Sequence, residues 1–160
     1  MSTVKPIPEG VPTVSPNLTL KHCAKCMEWY ERALGAETLM SMPAPDGKSV
    51  WHAEMRVGTA ILYMNDEMPG MGAPAPSAEH PAPVSFWIWT KDCDAAFKRA
   101  VEAGATTKMP PMDMFWGDRT GTVADPFGYT WTFSTHVKDM TQEEMARAGE
   151  EFVRQMAAKG

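Results

Sequence analysis

One ordered set of elements occurs twice in this chain, and that repetition restricts the fold more than any single motif. TVSPNLTL has strand character, AKCMEWYERAL is periodic as a helix and closed by Gly35, and ETLMSM, SVWHAEMRV and TAILYM follow as strands. Asp46-Gly47 turns the first of these three into the second as a hairpin, and Gly58 breaks the next pair. Residues 66–83 hold five prolines and no periodicity, which reads as a linker. The order then returns. VSFWIWT is a strand, DAAFKRAVEA a helix closed by Gly104, and ATTKM, RTGTVA and YTWTFST are strands, with Asp125-Pro126-Phe127-Gly128 turning before the last. The helices align as Tyr30–Leu34 on Phe97–Val101, 67 residues apart, and the Gly35-Ala36 and Gly104-Ala105 pairs that close them lie 69 apart. Two βαβββ units are therefore expected. The organisation that follows is an α+β chain with an N-terminal arm (1–12), a first module (13–65), a linker (66–83), a second module (84–136) and a C-terminal helix (137–160), the modules forming one domain.

The tail supports its own helix. TQEEMARAGEEFVRQMAAKG opens with a capping box from Thr141 to Glu144, and Met145, Phe152 and Met156 share a face. That face must cover the body of this chain or a second subunit.

Bulk properties exclude several partners. A net charge of −5, without any Lys/Arg cluster, argues against nucleic acid, because neutralising phosphates needs concentrated positive charge. Apolar runs such as VSFWIW are far too short to span a bilayer, so no membrane partner is expected. MSTVKPIPEG is polar and Pro-broken, unlike a secretory leader. Three cysteines do not build a disulfide framework, and the expected location is cytoplasmic. Fourteen methionines and six tryptophans serve core packing, and both residue types also adapt to apolar ligands.

The tandem βαβββ order resembles the vicinal oxygen chelate superfamily, which includes glyoxalase I, bleomycin-resistance proteins and extradiol dioxygenases. WYERALGAETL with MPAPDGKSVWHAEMRVGTAILYMNDE is similar to the first half of its PhnB-like branch, and FWGDRTGTVADPFGYTWTFSTHVKDMTQEEM to the second. The resemblance runs from about Val14 to the C-terminal helix, and the string GDR-x-G-x-V-x-DPFG-x-x-W is its specific part. It implies a half-barrel of strands around a pocket, helices outside, and a homodimer as the usual assembly.

Strand alternation then sorts the side chains. Tyr129, Trp131 and Phe133 are expected under a helix, with Thr130, Thr132 and Ser134 facing the cavity. VSFWIWT is apolar on both faces; its family counterpart implies that Ser85, Trp87 and Trp89 point inward. The same pairing turns Asn17 and Thr19 inward and packs Leu18 and Leu20 outward. Metal-dependent relatives carry His and Glu ligands at positions that fall here on Ser15, Leu62, Ser85 and Thr132, give or take one residue for the first two. Hydroxyls and a leucine are poor ligands for a divalent ion, so no metal and no other cofactor is expected.

His52 and Glu54, two apart on one strand, share a face and could move a proton, or they belong to a solvated face that Arg56 continues, the commoner outcome. In relatives Trp116-Gly117-Asp118-Arg119 lies near the pocket mouth. Arg119 could grip a ligand carboxylate, or be clamped by Asp118 or Asp125 within the fold, which is favoured. Trp116, beside a glycine, is the better ligand contact. His136 reads as a local hydrogen-bonding residue.

Residues 22–26, HCAKC, place Cys23 and Cys26 at the first turn of a helix. A helix N-terminus can acidify a thiol, yet no second Cys or His pair completes a zinc site, and a helix start is the expected role.

Three functions remain. The first is a metal-free protein binding a small aromatic or apolar molecule through Asn17, Thr19, Trp87, Trp89, Trp116, Arg119 and Thr132. The second is a lyase or isomerase using His52 or Glu54 as base, with Arg119 holding an anionic substrate. The third is a non-catalytic dimeric interaction protein.

Overall fold

A computed structural model describes residues 4–158. Residues 1–3 of the arm and 159–160 of the tail segment lie outside the described residues. Two compact units divide between Pro76 and Ser77.

In the first unit β1 (Asn17–Leu20), α1 (Cys23–Leu34), β2 (Glu37–Pro43), β3 (Val50–Val57) and β4 (Ala60–Asp66) build one sheet in the order β1-β4-β3-β2. β1 runs parallel to β4, and the other pairs are antiparallel. Period-2 burial follows from the alternation: Leu18, Leu20, Ala53, Met55, Leu62 and Met64 are all buried on the side where α1 lays Met27, Trp29, Tyr30, Ala33 and Leu34. Gly35 stops α1 in the left-handed conformation, φ 68°, and its N–H closes on the Glu31 carbonyl.

The second unit repeats the plan. β5 (Ser85–Trp89), α2 (Cys93–Glu102), β6 (Thr106–Asp113), β7 (Asp118–Ala124) and β8 (Thr130–His136) give the sheet order β5-β8-β7-β6. Beneath α2 lie Val123, Trp131 and Phe133, and Phe86 stacks on Trp131 with centroids 4.6 Å apart. A side chain at Gly121 would come within 2.9 Å of the Phe97 ring, so the glycine permits the close helix–sheet approach. The DPFG turn is architectural in the expected way. The buried Asp125 carboxylate accepts from the Phe127 and Tyr129 amides and the Trp131 indole, each at 2.9 Å, and Gly128 packs at φ 97° on the Ser77 backbone.

Three boundaries differ most from expectation. β1 starts at Asn17, after Pro16, rather than at Thr13. β6 does not stop at Met109 but runs to Asp113 through Pro110-Pro111. An edge strand tolerates prolines because its outer N–H groups have no partner to lose, and the register shifts at Thr107/Met109 and Met109/Met112 absorb them. Asp66, read as the first linker residue, instead ends β4. Its carboxylate accepts from the Cys23 amide at 2.8 Å and the Val50 amide at 2.7 Å.

α3 (Gln142–Ala157) starts at the expected capping box, with Thr141 and Glu144 exchanging hydrogen bonds. Of its expected face, Phe152 lies 5.5 Å from the Phe115 ring and Met145 is half-buried, but Met156 stays exposed and no α3 residue is buried. Among the described residues no helix is long and apolar enough to cross a membrane.

Candidate functional site

The face of the second sheet turned away from α2 is organised in rows across the strands. Register places Trp89 beside Ser134, Ser134 beside Thr120 and Thr120 beside Met112. One step along, Trp87, Thr132, Thr122 and Met109 line up in the same way. Residues paired in register point to the same side. Each row therefore reads indole, hydroxyl, hydroxyl, thioether: a trough with an aromatic wall on β5, a Met wall on β6 and a hydroxyl floor between. Three strand spacings separate the walls, about 14 Å. Trp87 and Trp89 are 49% and 62% exposed, with ring centroids 6.3 Å apart. On the floor Thr122 and Thr132 bond each other at 2.9 Å. The Thr120 and Ser134 hydroxyls are buried and have no hydrogen-bond partner.

The row beyond pairs Asp118 with His136. His136 Nδ1 meets Asp118 at 2.8 Å and Nε2 meets Asp139 at 2.9 Å. Those two carboxylates raise the imidazole pKa above its ordinary value, the Asp118 hydrogen bond contributing most. The expected Asp118–Arg119 clamp is thus replaced, since adjacent strand residues point to opposite faces. Arg119 turns to the α2 side, where Nε and Nη2 grip Asp94 at 2.5 and 2.8 Å and Nη1 reaches Asp113 at 3.0 Å. Asp94 is the largest cause of its raised pKa. Arg119 is therefore clamped within the fold, on the side away from Trp87, Trp89 and Thr132. Trp116 is half-buried and packs edge-on against Phe115 at 4.9 Å, joining the ring that Phe152 covers.

In the first unit the corresponding face, away from α1, is polar. Asn17, Tyr63, Glu54 and Met40 form one row, while Thr19 pairs with Asn65 and His52 with Met42. His52 Nε2 lies 3.3 Å from Glu54, its ring 5.3 Å from Tyr63, and both titratable side chains are about one-third exposed, 33% and 30%. Asn17, Thr19, His52 and Glu54 thus share one face. Leu62 does not; it is buried under α1, and its neighbour Tyr63 takes the position facing away.

A divalent ion needs converging carboxylate, imidazole or thiolate donors. The trough rows offer hydroxyls, indoles and thioethers, and the titratable groups on the two sheet faces are already paired: His136 with Asp118 and Asp139, His52 with Glu54, and Glu37 with Arg56. Among the described residues no group of three or more His, Cys, Asp or Glu could hold a metal. That donor set does not fit a metal-dependent site.

The HCAKC stretch begins α1 as expected. His22 takes a left-handed conformation, φ 59°, and offers no side-chain cap; Asp66 caps from β4 instead. In the second unit Thr135, 69 residues on, accepts the Cys93 amide at 2.8 Å. All three cysteines are buried and none is in a disulfide. Burial, and then the charge of Asp66, push the Cys23 thiol up to about 12, opposite to an activated cysteine.

Thr120, Thr122, Met109 and Met112 were not singled out from the sequence, although the alternation of RTGTVA carries the two threonines. Met112 lies beyond the prolines that ended the strand reading.

The Glyoxalase/Bleomycin resistance protein/Dioxygenase superfamily model matches residues 13–133. An uncharacterized protein of Mycobacterium bovis is 36% identical over 140 residues, spanning 86% of this chain and 91% of that protein. Among solved structures, TioX from Micromonospora sp. ML1 superposes with a TM-score of 0.61 at 25% identity, covering 81% of this chain and 100% of TioX. A PhnB protein from Bacillus cereus, titled a putative 3-demethylubiquinone-9 3-methyltransferase, gives 0.60 at 13% identity over 78% and 99%, a likeness of fold alone.

Proposed function

The chain belongs to the glyoxalase/bleomycin resistance protein/dioxygenase superfamily, and from that premise we propose that it binds a small aromatic or apolar molecule, without a metal, on the trough of its second unit. The observation that carries this reading is the pair of exposed indoles, Trp87 and Trp89, on one strand face above hydroxyls. An aromatic side chain offers 150–250 Å², so a flat ligand covering roughly 100 Å² of the two indoles gains about 2.5 kcal/mol from apolar burial. The Met wall adapts to ligand shape. The donor set favours a metal-free site, and Arg119, held by Asp94 and Asp113, leaves this trough to neutral ligands.

Intrinsic fluorescence titrated with a panel of aromatic metabolites and drugs tests the proposal. Saturable quenching that weakens about tenfold or more in Trp87→Ala and Trp89→Ala, and persists in His52→Ala, is the expected result. Quenching indifferent to both tryptophans would remove the trough from consideration.

The His52–Glu54 contact beside Tyr63 supports a second reading, an acid–base site of a lyase or isomerase in the first unit. Turnover lost in His52→Ala with ligand binding retained would favour it.

A further inference from the structure

The two rows of the trough are built alike but satisfied differently. Thr122 and Thr132 bond each other, whereas Thr120 and Ser134, also cross-strand neighbours, are both fully buried and leave their hydroxyls without a partner. A buried hydroxyl that makes no hydrogen bond destabilises a fold relative to an apolar residue of the same shape, so valine and alanine would serve this floor better if packing were its only task. We infer that Thr120 and Ser134 are the polar subsite of the trough, and that its ligand carries a neutral hydrogen-bonding group (a carbonyl, hydroxyl or amide) on a flat apolar body.

This inference rests on the ligand-binding reading above and adds the ligand's chemistry. Neutrality follows from burial, since a charged group would lose its hydration in a site closed to solvent, and the charges facing the site disfavour an anion in particular. Next along β8 and β7 on the same face stand His136 and Asp118, already paired at 2.8 Å, and Asp139 holds the other imidazole nitrogen at 2.9 Å. An anion would find the imidazole already bonded to two carboxylates and would approach the Asp118 carboxylate. A carbonyl oxygen instead accepts from two hydroxyl donors, while the ring system lies between Trp89 and Met112 in the same row. Both hydroxyls are closed to solvent, so entry requires a neighbour to move. Trp89, in register with Ser134 and 62% exposed, is the more exposed of the two indoles.

Calorimetric titration with three matched probes tests this: 2-acetonaphthone, 2-ethylnaphthalene and 2-naphthoate. The wild-type chain should prefer the ketone over the hydrocarbon by about tenfold, the worth of one or two hydrogen bonds, and bind the carboxylate more weakly than the ketone. In Thr120→Val and Ser134→Ala the ketone preference should disappear while hydrocarbon affinity stays. Both variants should unfold at the same or higher urea concentration, so lost preference would not reflect misfolding. Equal binding of ketone and hydrocarbon to the wild type, or an undiminished preference in both variants, would overturn the polar subsite and leave the aromatic trough standing. No heat of binding from any of the three would overturn the trough and the subsite together.

Discussion

Replacing Gly117 by alanine should destabilise the chain much more than the same change at Gly104, although the two glycines have similar backbone angles, φ +94° and +104°. An L-residue at such positive φ costs about 1–2 kcal/mol at either position. At Gly104 nothing lies within 4 Å of the added Cβ, so the backbone term stands alone. At Gly117 the new carbon would overlap the Lys138 carbonyl oxygen, a backbone atom that cannot swing away. Relief requires residues 137–138 to withdraw, and their amides donate to the Gly117 carbonyl at 3.0 and 2.9 Å. Losing those two hydrogen bonds adds about 2 kcal/mol, for a total of roughly 3–4 kcal/mol at Gly117. Urea unfolding with linear extrapolation measures both, provided the slope is unchanged. The two variants should differ by about 2 kcal/mol. Losses equal within about 0.5 kcal/mol would show that the strap carrying the chain from β8 to α3 does not bear on Gly117 as described.

Three further outcomes are expected. Because Asp118 and Asp139 raise the His136 pKa above 6.5 in the folded chain, its stabilisation is complete below about pH 6.5 and fades as pH rises through the raised value. The stability gap between wild type and His136→Asn should therefore narrow above neutral pH; a widening gap would contradict the pairing. Cys23, Cys26 and Cys93, all buried, should react with Ellman's reagent at pH 8 slowly in the native chain and fast in urea, and a rapidly modified pair would restore a redox role for HCAKC. If Val153 and Met156, exposed on α3, join two copies of the chain, removing residues from Thr141 onward should lower the mass in light scattering from that of two chains to that of one, and a truncated chain that still weighs as two would discard that helix as the interface.

The repeat was legible because its signals are local. Gly35, Gly104, Asp46-Gly47 and Asp125–Gly128 punctuate the chain by backbone geometry alone. Alternation in YTWTFST sorted Trp131 and Phe133 to the helix side without any knowledge of tertiary structure. What escaped the sequence depends on pairing between strands. Which residues share a row is a property of register, so the trough could not be seen until Trp89, Ser134, Thr120 and Met112 were brought together from four separate strands. The partner of Arg119 was missed for a similar reason. Asp118 is adjacent in sequence but points to the opposite face, while Asp94 is distant in sequence and close across the helix–sheet contact. The helix cap at Asp66, 43 residues from Cys23, is of the same kind.

Fluorine NMR of the chain labelled with 5-fluorotryptophan asks most directly where a ligand sits. Six tryptophans give six resonances, assigned by single Trp→Phe substitutions. Saturation with a ligand found by quenching should shift the Trp87 and Trp89 signals and leave those of the buried Trp29 and Trp131 in place. Shifts confined to Trp51 or Trp116, with Trp87 and Trp89 unmoved, would place the ligand elsewhere and contradict the trough.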